Sequence, residues 1–291
     1  MRFACLICSA FLTFFNSLIM KKFTVNRATD LKTFTDESYP QGSFAFAALL
    51  RSRDIKINGA RTAKNIKVSV GDEVVYYTTP AQEGKLSHNV IYSDENIIVC
   101  DKFSGVSTEG LLSELCASGE YYAVHRLDRN TEGLIIFARN RAAEKELLAA
   151  FKDRRIKKTY LALVKDGFRK DEDCLTAYLC KDEKTSLVKI SDVPRTGYVR
   201  IITEYKVIER GEGLALVQIK LHTGRTHQIR AHMAHIGCPI LGDEKYGDTA
   251  INAKYGARRQ RLVAKYISFG LTGALSYLND KVFESSFSPI R

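Results

Sequence analysis

The sequence predicts an α+β protein, a small basic α/β module followed by a larger mixed domain built mainly on an antiparallel β-sheet. Three observations lead there. Short apolar or alternating runs recur between turn clusters through most of the chain, while helical stripes are few. A polar break carrying one Pro and one Gly, Thr78-Thr79-Pro80-Ala81-Gln82-Glu83-Gly84-Lys85, separates two apolar-rich stretches. Finally, 291 residues with 45% hydrophobic and 26% charged content suffice for one large domain, or for a small and a medium one, with a buried core.

Taken in order, the first segment is Arg2 followed by an apolar run over residues 4–15, which has the look of a weak signal peptide. No small-x-small cleavage site follows it, and it is too short and too interrupted by polar residues for a membrane span. Met20-Lys21-Lys22-Phe23 opens an ordinary soluble sequence, so residues 1–19 are read as a doubtful extension and Met20 as the start. The first module spans 20–78. Residues 44–50 have helix-forming composition, with Arg51 and Arg53 at the end. Ile55-Lys56-Ile57 then alternates and runs into Asn58-Gly59, a pair suited to a tight hairpin. Ile66, Val68 and Val70 alternate again, Gly71-Asp72 turns, and Val74-Val75-Tyr76-Tyr77 makes a last strand. Residues 79–86 are the expected linker and 87–291 the larger domain.

In that domain Val90-Ile91-Tyr92 and Ile97-Ile98-Val99-Cys100 flank the turn cluster Ser93-Asp94-Glu95-Asn96. Leu134-Ile135-Ile136-Phe137-Ala138 is apolar throughout, as in a strand buried on both faces. Residues 142–152 place Leu147, Leu148 and Phe151 on one helical stripe. Tyr160-Leu161-Ala162-Leu163-Val164 and Leu214-Ala215-Leu216-Val217-Gln218-Ile219 read as strands, and residues 228–236 as a helix. There is no internal repeat and no low-complexity tract.

Lys and Arg outnumber Asp and Glu by 44 to 33, a net charge of +11, which favours a polyanionic partner, nucleic acid or an acidic membrane surface. The seven cysteines are odd in number and lack paired zinc spacing; Cys5-Leu6-Ile7-Cys8 stands alone, and the set reads as reduced thiols of a cytosolic protein.

Three segments concentrate chemistry. In His125-Arg126-Leu127-Asp128-Arg129-Asn130-Thr131-Glu132-Gly133-Leu134, Asp128 lies between two arginines just ahead of a buried strand. Nearby cations keep a carboxylate ionised when partly buried, and such a group is a usable nucleophile. On local grounds it could equally cap a turn or pair with an adjacent Arg. In residues 221–235, His222, His227, His232 and His235 invite a metal reading, with His232 and His235 i,i+3 neighbours on a helix. Against it, the segment holds no carboxylate or Cys, Arg225 and Arg230 would repel a dication, and the HExxH order is missing, so no metal site is assigned. Arg225, after Gly224, suits a forked grip on a carboxylate or phosphate. In Lys157-Lys158-Thr159-Tyr160, the phenol is core, a stacking face, or a proton carrier.

His125-Arg126-Leu127-Asp128 with Thr131-x-Gly133-Leu134, then Lys158-Thr159-Tyr160, then Thr223-Gly224-Arg225-Thr226-His227-Gln228-Ile229-Arg230 with His232, then Leu241-Gly242-Asp243-x-x-Tyr246-Gly247, resemble the motifs of the RluA-type pseudouridine synthases, in that family's order. The likeness covers about residues 45–270. Its opening His favours this type over the small-subunit type, which shows Gly-Arg-Leu-Asp. Leu50, Ile55, Ile57, Asn58, Gly59, Lys64, Val70, Gly71 and Asp72 resemble the S4 RNA-binding module, where basic residues meet RNA phosphates; the matching candidates are Arg51, Arg53, Lys56, Arg61 and Lys64. There are departures. Lys102-Phe103-Ser104-Gly105 stands where the family has Lys-Pro-Ser-Gly, which should loosen one loop, and Arg261-Leu262-Val263-Ala264-Lys265-Tyr266 stands for its late Arg-Leu-x-Leu-His-Ala.

The resemblance implies the pseudouridine synthase fold and an isomerase that breaks the N1–C1′ bond of uridine, turns the uracil and rejoins it through C5. Asp128 would attack ribose C1′ or uracil C6, or assist elimination across the sugar. Arg225 would pair with Asp128. Tyr160 would stack on the uracil and is a candidate general base. His125, Arg126, Arg129, His227 and Arg230 would contact the RNA. No cofactor and no metal is called for. The expected partner is 23S ribosomal RNA, with transfer RNA as the alternative, no membrane, and a cytoplasmic monomer. A non-catalytic RNA-binding or ribosome-assembly protein of the same fold, and a metal-dependent hydrolase using the histidines, are the competing classes.

Overall fold

The computed structural model describes residues 19–83, 87–182 and 187–290. Residues 1–18, which hold the apolar run with Cys5 and Cys8, and residues 84–86 at the end of the expected linker lie outside the described residues. Within the linker, Pro80–Glu83 forms a single helical turn. The chain divides into two compact units, Met1–Thr35 with Ala45–Lys85, and Asp36–Phe44 with Leu86–Arg291. No helix among the described residues is long and apolar enough to cross a membrane.

The smaller unit is a four-stranded antiparallel sheet in the order Ile19–Thr24, Glu73–Thr78, Ile55–Ile57, Ala60–Thr62. Asn58 and Gly59 both have positive φ, 49° and 82°, as an Asn-Gly hairpin of the type I′ class requires. Alternation carries Val74 and Tyr76 into the core beside Ile55, Phe46 and Leu49. Tyr76 Oη meets Thr35 Oγ1 at 2.6 Å, so the buried phenol keeps a partner. The expected Ile66–Val68–Val70 strand shrinks to Lys67–Val68, and Val70 is 68% exposed.

The larger unit is one mostly antiparallel sheet. Its main path runs Val188–Ser191, Glu172–Lys181, Val199–Gly211, Leu214–Leu221, Ile156–Lys165, Leu262–Phe269, Glu132–Ala138, Ile97–Lys102, His88–Ser93. Only Glu132–Ala138 and Leu262–Phe269 pair in parallel among the described strands. The Glu132–Ala138 strand explains its own sequence. Leu134, Ile136 and Ala138 enter one core with Leu147 and Ala150 of the helix Arg141–Lys152, while Ile135 and Phe137 enter the other with Leu111, Ile229 and Met233. A strand covered on both faces has no polar alternation. Ser107 caps the helix Thr108–Cys116 and Asn140 caps Arg141–Lys152, each accepting from the backbone N–H of the third helical residue.

Gly133 sits where this strand meets Ala264 in parallel register. Its φ is +108°, and a Cβ there would lie 2.4 Å from the Ala264 carbonyl oxygen. That contact, rather than chemistry, accounts for the glycine next to the Asp128 loop. Phe103, in place of the family's proline, ties its loop down instead of loosening it. Its N–H donates to Ser87 O at 2.9 Å, a bond proline lacks, and its ring packs edge-on against Phe287 at 5.0 Å.

Candidate active site

Asp128 stands on a loop whose neighbours are fixed on both sides. Thr108 Oγ1 donates to Leu127 O and accepts from Leu127 N, both at 3.1 Å. Arg129 O accepts from Gly105 N at 2.9 Å and from Lys102 Nζ at 3.1 Å. Ser104 Oγ donates to Asn130 O, Gln260 Nε2 donates to Thr131 Oγ1 at 2.8 Å, and Thr131 N closes the turn on Asp128 O. Lys102 is fully buried, and its ammonium also donates to Phe103 O and Val106 O. Burial lowers its pKa to about 7, with the Asp128 and Glu132 carboxylates pulling the other way. A loop held at each residue presents its carboxylate in one geometry, which is the main structural requirement for covalent chemistry.

The carboxylate itself is 18% exposed. Arg230 Nη1 donates to Asp128 Oδ2 at 3.1 Å. The rest of that guanidinium forks onto Asp243, Nε to Oδ2 at 2.7 Å and Nη2 to Oδ1 at 2.9 Å. Burial alone would raise the Asp243 carboxyl, but Arg230 and the Lys245 and Tyr246 amides outweigh it and hold it below its ordinary value. Arg230 is 5% exposed, with the Tyr246 ring 5.2 Å from its charge. Asp128 Oδ1 takes no hydrogen bond among the described residues, so one oxygen is committed and the other is unengaged.

The Asp128–Arg225 pair expected from sequence is therefore corrected. Arg225 is exposed and lines an open groove of ≈ 300 Å³ with Leu179, Cys180, Lys181, Gly197, Val199 and Thr226. The reason is local. His227 has φ +54°, and this left-handed residue breaks the chain between Arg225 and the helix Gln228–His235, whose first turn carries Arg230 inward.

Tyr160 is buried at 4% exposure on the strand Ile156–Lys165, at a register shift between Thr159 and Tyr160. Burial first, then the Asp128 carboxylate, push its phenol well above the ordinary range. His125 is corrected too. Instead of facing out to RNA it packs on Phe151, ring centroids 4.7 Å apart, and its Nε2 accepts from Ile136 N at 2.9 Å. Burial and the Lys158 charge hold its pKa well below the usual value, so the ring is neutral. Arg126 stays out, 63% exposed and 3.8 Å from Glu109. Arg129 binds Asp36 of the same unit at 2.7 Å. His222, His232 and His235 go to Glu204, Thr203 and Asp192, so the histidines do not converge, and among the described residues no group of three His, Cys, Asp or Glu could hold a metal. His227 is drawn to the site, its Nε2 3.9 Å from Asp128 Oδ2.

In the smaller unit, Arg51, Arg53 and Lys64 are exposed. Lys56 and Arg61 lie over the Tyr77 ring at 5.2 and 5.5 Å, and Arg61 also donates to Arg53 O. In the sequence Asp243 and Tyr246 are marked only by their spacing within Leu241–Gly247, and Gln228 only by its place in Thr223–Arg230.

At the centre of the site a buried Arg bridges two carboxylates, one of them partly exposed on a loop fixed by hydrogen bonds. A family profile described as RNA pseudouridylate synthase matches residues 97–235. A ribosomal large subunit pseudouridine synthase C of Rickettsia bellii is 33% identical over 229 residues, 68% of this chain and 76% of that one. Its namesake in Vibrio cholerae is 30% identical over 250 residues, 76% and 78% of the two chains. An RNA pseudouridine synthase of Aquifex aeolicus is 30% identical over 75% of this chain and 76% of its own. Human RNA Pseudouridylate Synthase Domain Containing 1 shares the fold, with a TM-score of 0.56 at 23% identity over 69% of this chain and 83% of that one. The chain belongs to the RNA pseudouridine synthase family, in its RluA-type branch, and is an isomerase acting on RNA.

Proposed function

We propose that this enzyme converts specific uridines of 23S ribosomal RNA to pseudouridine with Asp128 as nucleophile, in the cytoplasm. The observation that carries this is the division of labour within one carboxylate. Arg230 holds Oδ2, and Oδ1 is unengaged on a loop that cannot turn away. The relatives named for the large ribosomal subunit support that RNA as substrate.

The chemistry is balanced within the nucleoside. The N1–C1′ bond breaks, a C5–C1′ bond forms, C5 loses a proton and N1 ends with one. No electron is gained or lost, so the reaction requires no redox cofactor. Asp128 Oδ1 attacks C1′ or C6, or assists elimination across the sugar. Either way the base must leave its stack and enter the site. Tyr160, kept a neutral phenol by its surroundings, offers a flat face and a hydrogen-bond donor; its raised pKa makes it a poor general base at neutral pH. Arg126, exposed at the head of the loop, meets the strand from which the uridine is taken. Arg225 grips a backbone phosphate from its groove, and the smaller unit, read as S4-like, adds Arg51, Arg53, Lys56, Arg61 and Lys64.

Asp128→Asn should lower single-turnover rates by at least about three orders of magnitude while RNA affinity changes little. A variant with near-normal turnover would remove Asp128 from the role. For the substrate, pseudouridine mapping with and without the gene should show a lost position in 23S ribosomal RNA. Loss confined to transfer RNA would reassign the substrate, and loss nowhere would defeat the proposal.

A further inference from the structure

We propose that His227 is a positioning residue for Asp128, its Nε2–H turned to the carboxylate by Tyr246, an inference that rests on Asp128 being the nucleophile. Three features of the geometry point to it.

The backbone comes first. His227 is the residue before the helix Gln228–His235, where Ser, Thr, Asp or Asn would cap, yet its side chain makes no cap. It also holds φ +54°, a left-handed conformation that is unfavourable for a residue with a Cβ. The surrounding loop enforces it through Gln228, which is 2% exposed with its amide fully used. Oε1 accepts from Thr223 Oγ1 and Arg225 N, and Nε2 donates to Ile202 O and Thr203 Oγ1. A strained backbone, clamped by a saturated amide, is spent on aiming one ring.

The second feature is the tautomer. Tyr246 Oη accepts from Val188 N at 2.9 Å, and His227 Nδ1 lies 2.9 Å from the same oxygen. Val188 already donates to that oxygen, and the assignment that uses the phenol's own proton directs it to Nδ1. The neutral imidazole then carries its hydrogen on Nε2, the nitrogen facing Asp128.

The third is the target. Nε2 lies 3.9 Å from Asp128 Oδ2, the oxygen Arg230 already holds. That is too long for a hydrogen bond, and closing it by about 1 Å with RNA bound would make one. Two donors on Oδ2 fix rotation of the carboxylate and turn Oδ1 outward. The groups facing the ring are Asp128, Arg230, Lys245, Asp243 and Tyr246. Burial leads in lowering its pKa, with the Arg230 and Lys245 charges on the same side and the two carboxylates opposing. The ring is thus neutral at pH 7. Protonated, it would be a second cation on Oδ2 and would draw charge from the nucleophile.

The test is single-turnover kinetics on an RNA stem-loop across pH 5–8. His227→Ala should lower the rate constant roughly 30-fold, within the range that loss of orientation produces, with RNA affinity unchanged. His227→Gln, which keeps an N–H donor but cannot titrate, should recover most of the rate and shift the acid limb to lower pH. Tyr246→Phe removes a bond to the neutral ring, so its limb should move to higher pH. A wild-type rate in His227→Ala, or an acid limb in His227→Gln at the wild-type position, overturns the proposal. Asp128→Asn in the same series separates the two readings: if it is inactive while His227→Ala is normal, only the role of His227 falls.

Discussion

Two arginines five positions apart, Arg225 and Arg230, have opposite fates, and the difference predicts separable phenotypes. Arg230 is planar, buried and bound to two carboxylates at once. Arg230→Lys keeps a charge but gives up the fork, so Asp243 and Asp128 cannot both be held. Its rate constant should fall about 100-fold with the fold intact by circular dichroism. Arg225→Gln should leave the rate constant alone, weaken RNA binding, and reduce the slope of log affinity against log salt by about 1. If Arg225→Gln lowers the rate constant as far as Arg230→Lys, the assignment of roles is wrong. This is also where the sequence was silent. Motif order singles out Asp128 and Tyr160 in the sequence, but nothing local marks a positive φ at His227. Without that break in view, the sequence pointed to Arg225 as the partner of Asp128 and to Arg230 as an RNA contact. His125 misled for the opposite reason. A polar letter beside a catalytic one reads as functional, while the structure uses it to accept a strand's N–H and fill space against Phe151.

At the scale of elements, the parallel junction between Glu132–Ala138 and Leu262–Phe269 sets the stiffness behind Asp128. Gly133→Ala would place a methyl 2.4 Å from Ala264 O at a φ of +108°. The strain should cost about 2–3 kcal/mol in urea unfolding, and a loss under 0.5 kcal/mol would show that the junction yields. Of its two strands, Glu132–Ala138 was readable because both its faces are apolar, whereas Leu262–Phe269 was not read. Glu172–Lys181, Val188–Ser191 and Val199–Gly211 were not read. Charged and polar letters such as Glu172, Thr176, Glu204 and Lys206 fill their outer faces, and the inward set Ile201, Thr203 and Tyr205 includes a threonine that a hydropathy pattern counts as polar. Thr203 is buried because Gln228 and His232 satisfy it, a fact that lives in tertiary structure alone.

For the whole molecule, two histidines packed inward as neutral rings make stability depend on pH. His125 is held well below the ordinary value by burial and by Lys158, and burial brings His232, 1% exposed, to about 4. Both are neutral when folded. In the unfolded chain each titrates near 6.5, so between that value and the folded pKa the unfolded state binds more protons. Stability is then fully present above about pH 6.5 and is lost as pH falls, by up to about 1.4 kcal/mol per pH unit for each histidine. Urea unfolding at pH 7.5 and 5.5 should therefore differ by roughly 3 kcal/mol from these two groups together, with self-repulsion of a chain already at +11 acting in the same direction. The contribution can be isolated. His125→Gln retains an acceptor for Ile136 N but cannot take up a proton, so its stability should fall less steeply with acid by the share of one group. A pH slope for His125→Gln equal to that of the wild type would mean that the buried imidazole is protonated in place, and that the strand edge it completes tolerates a charge.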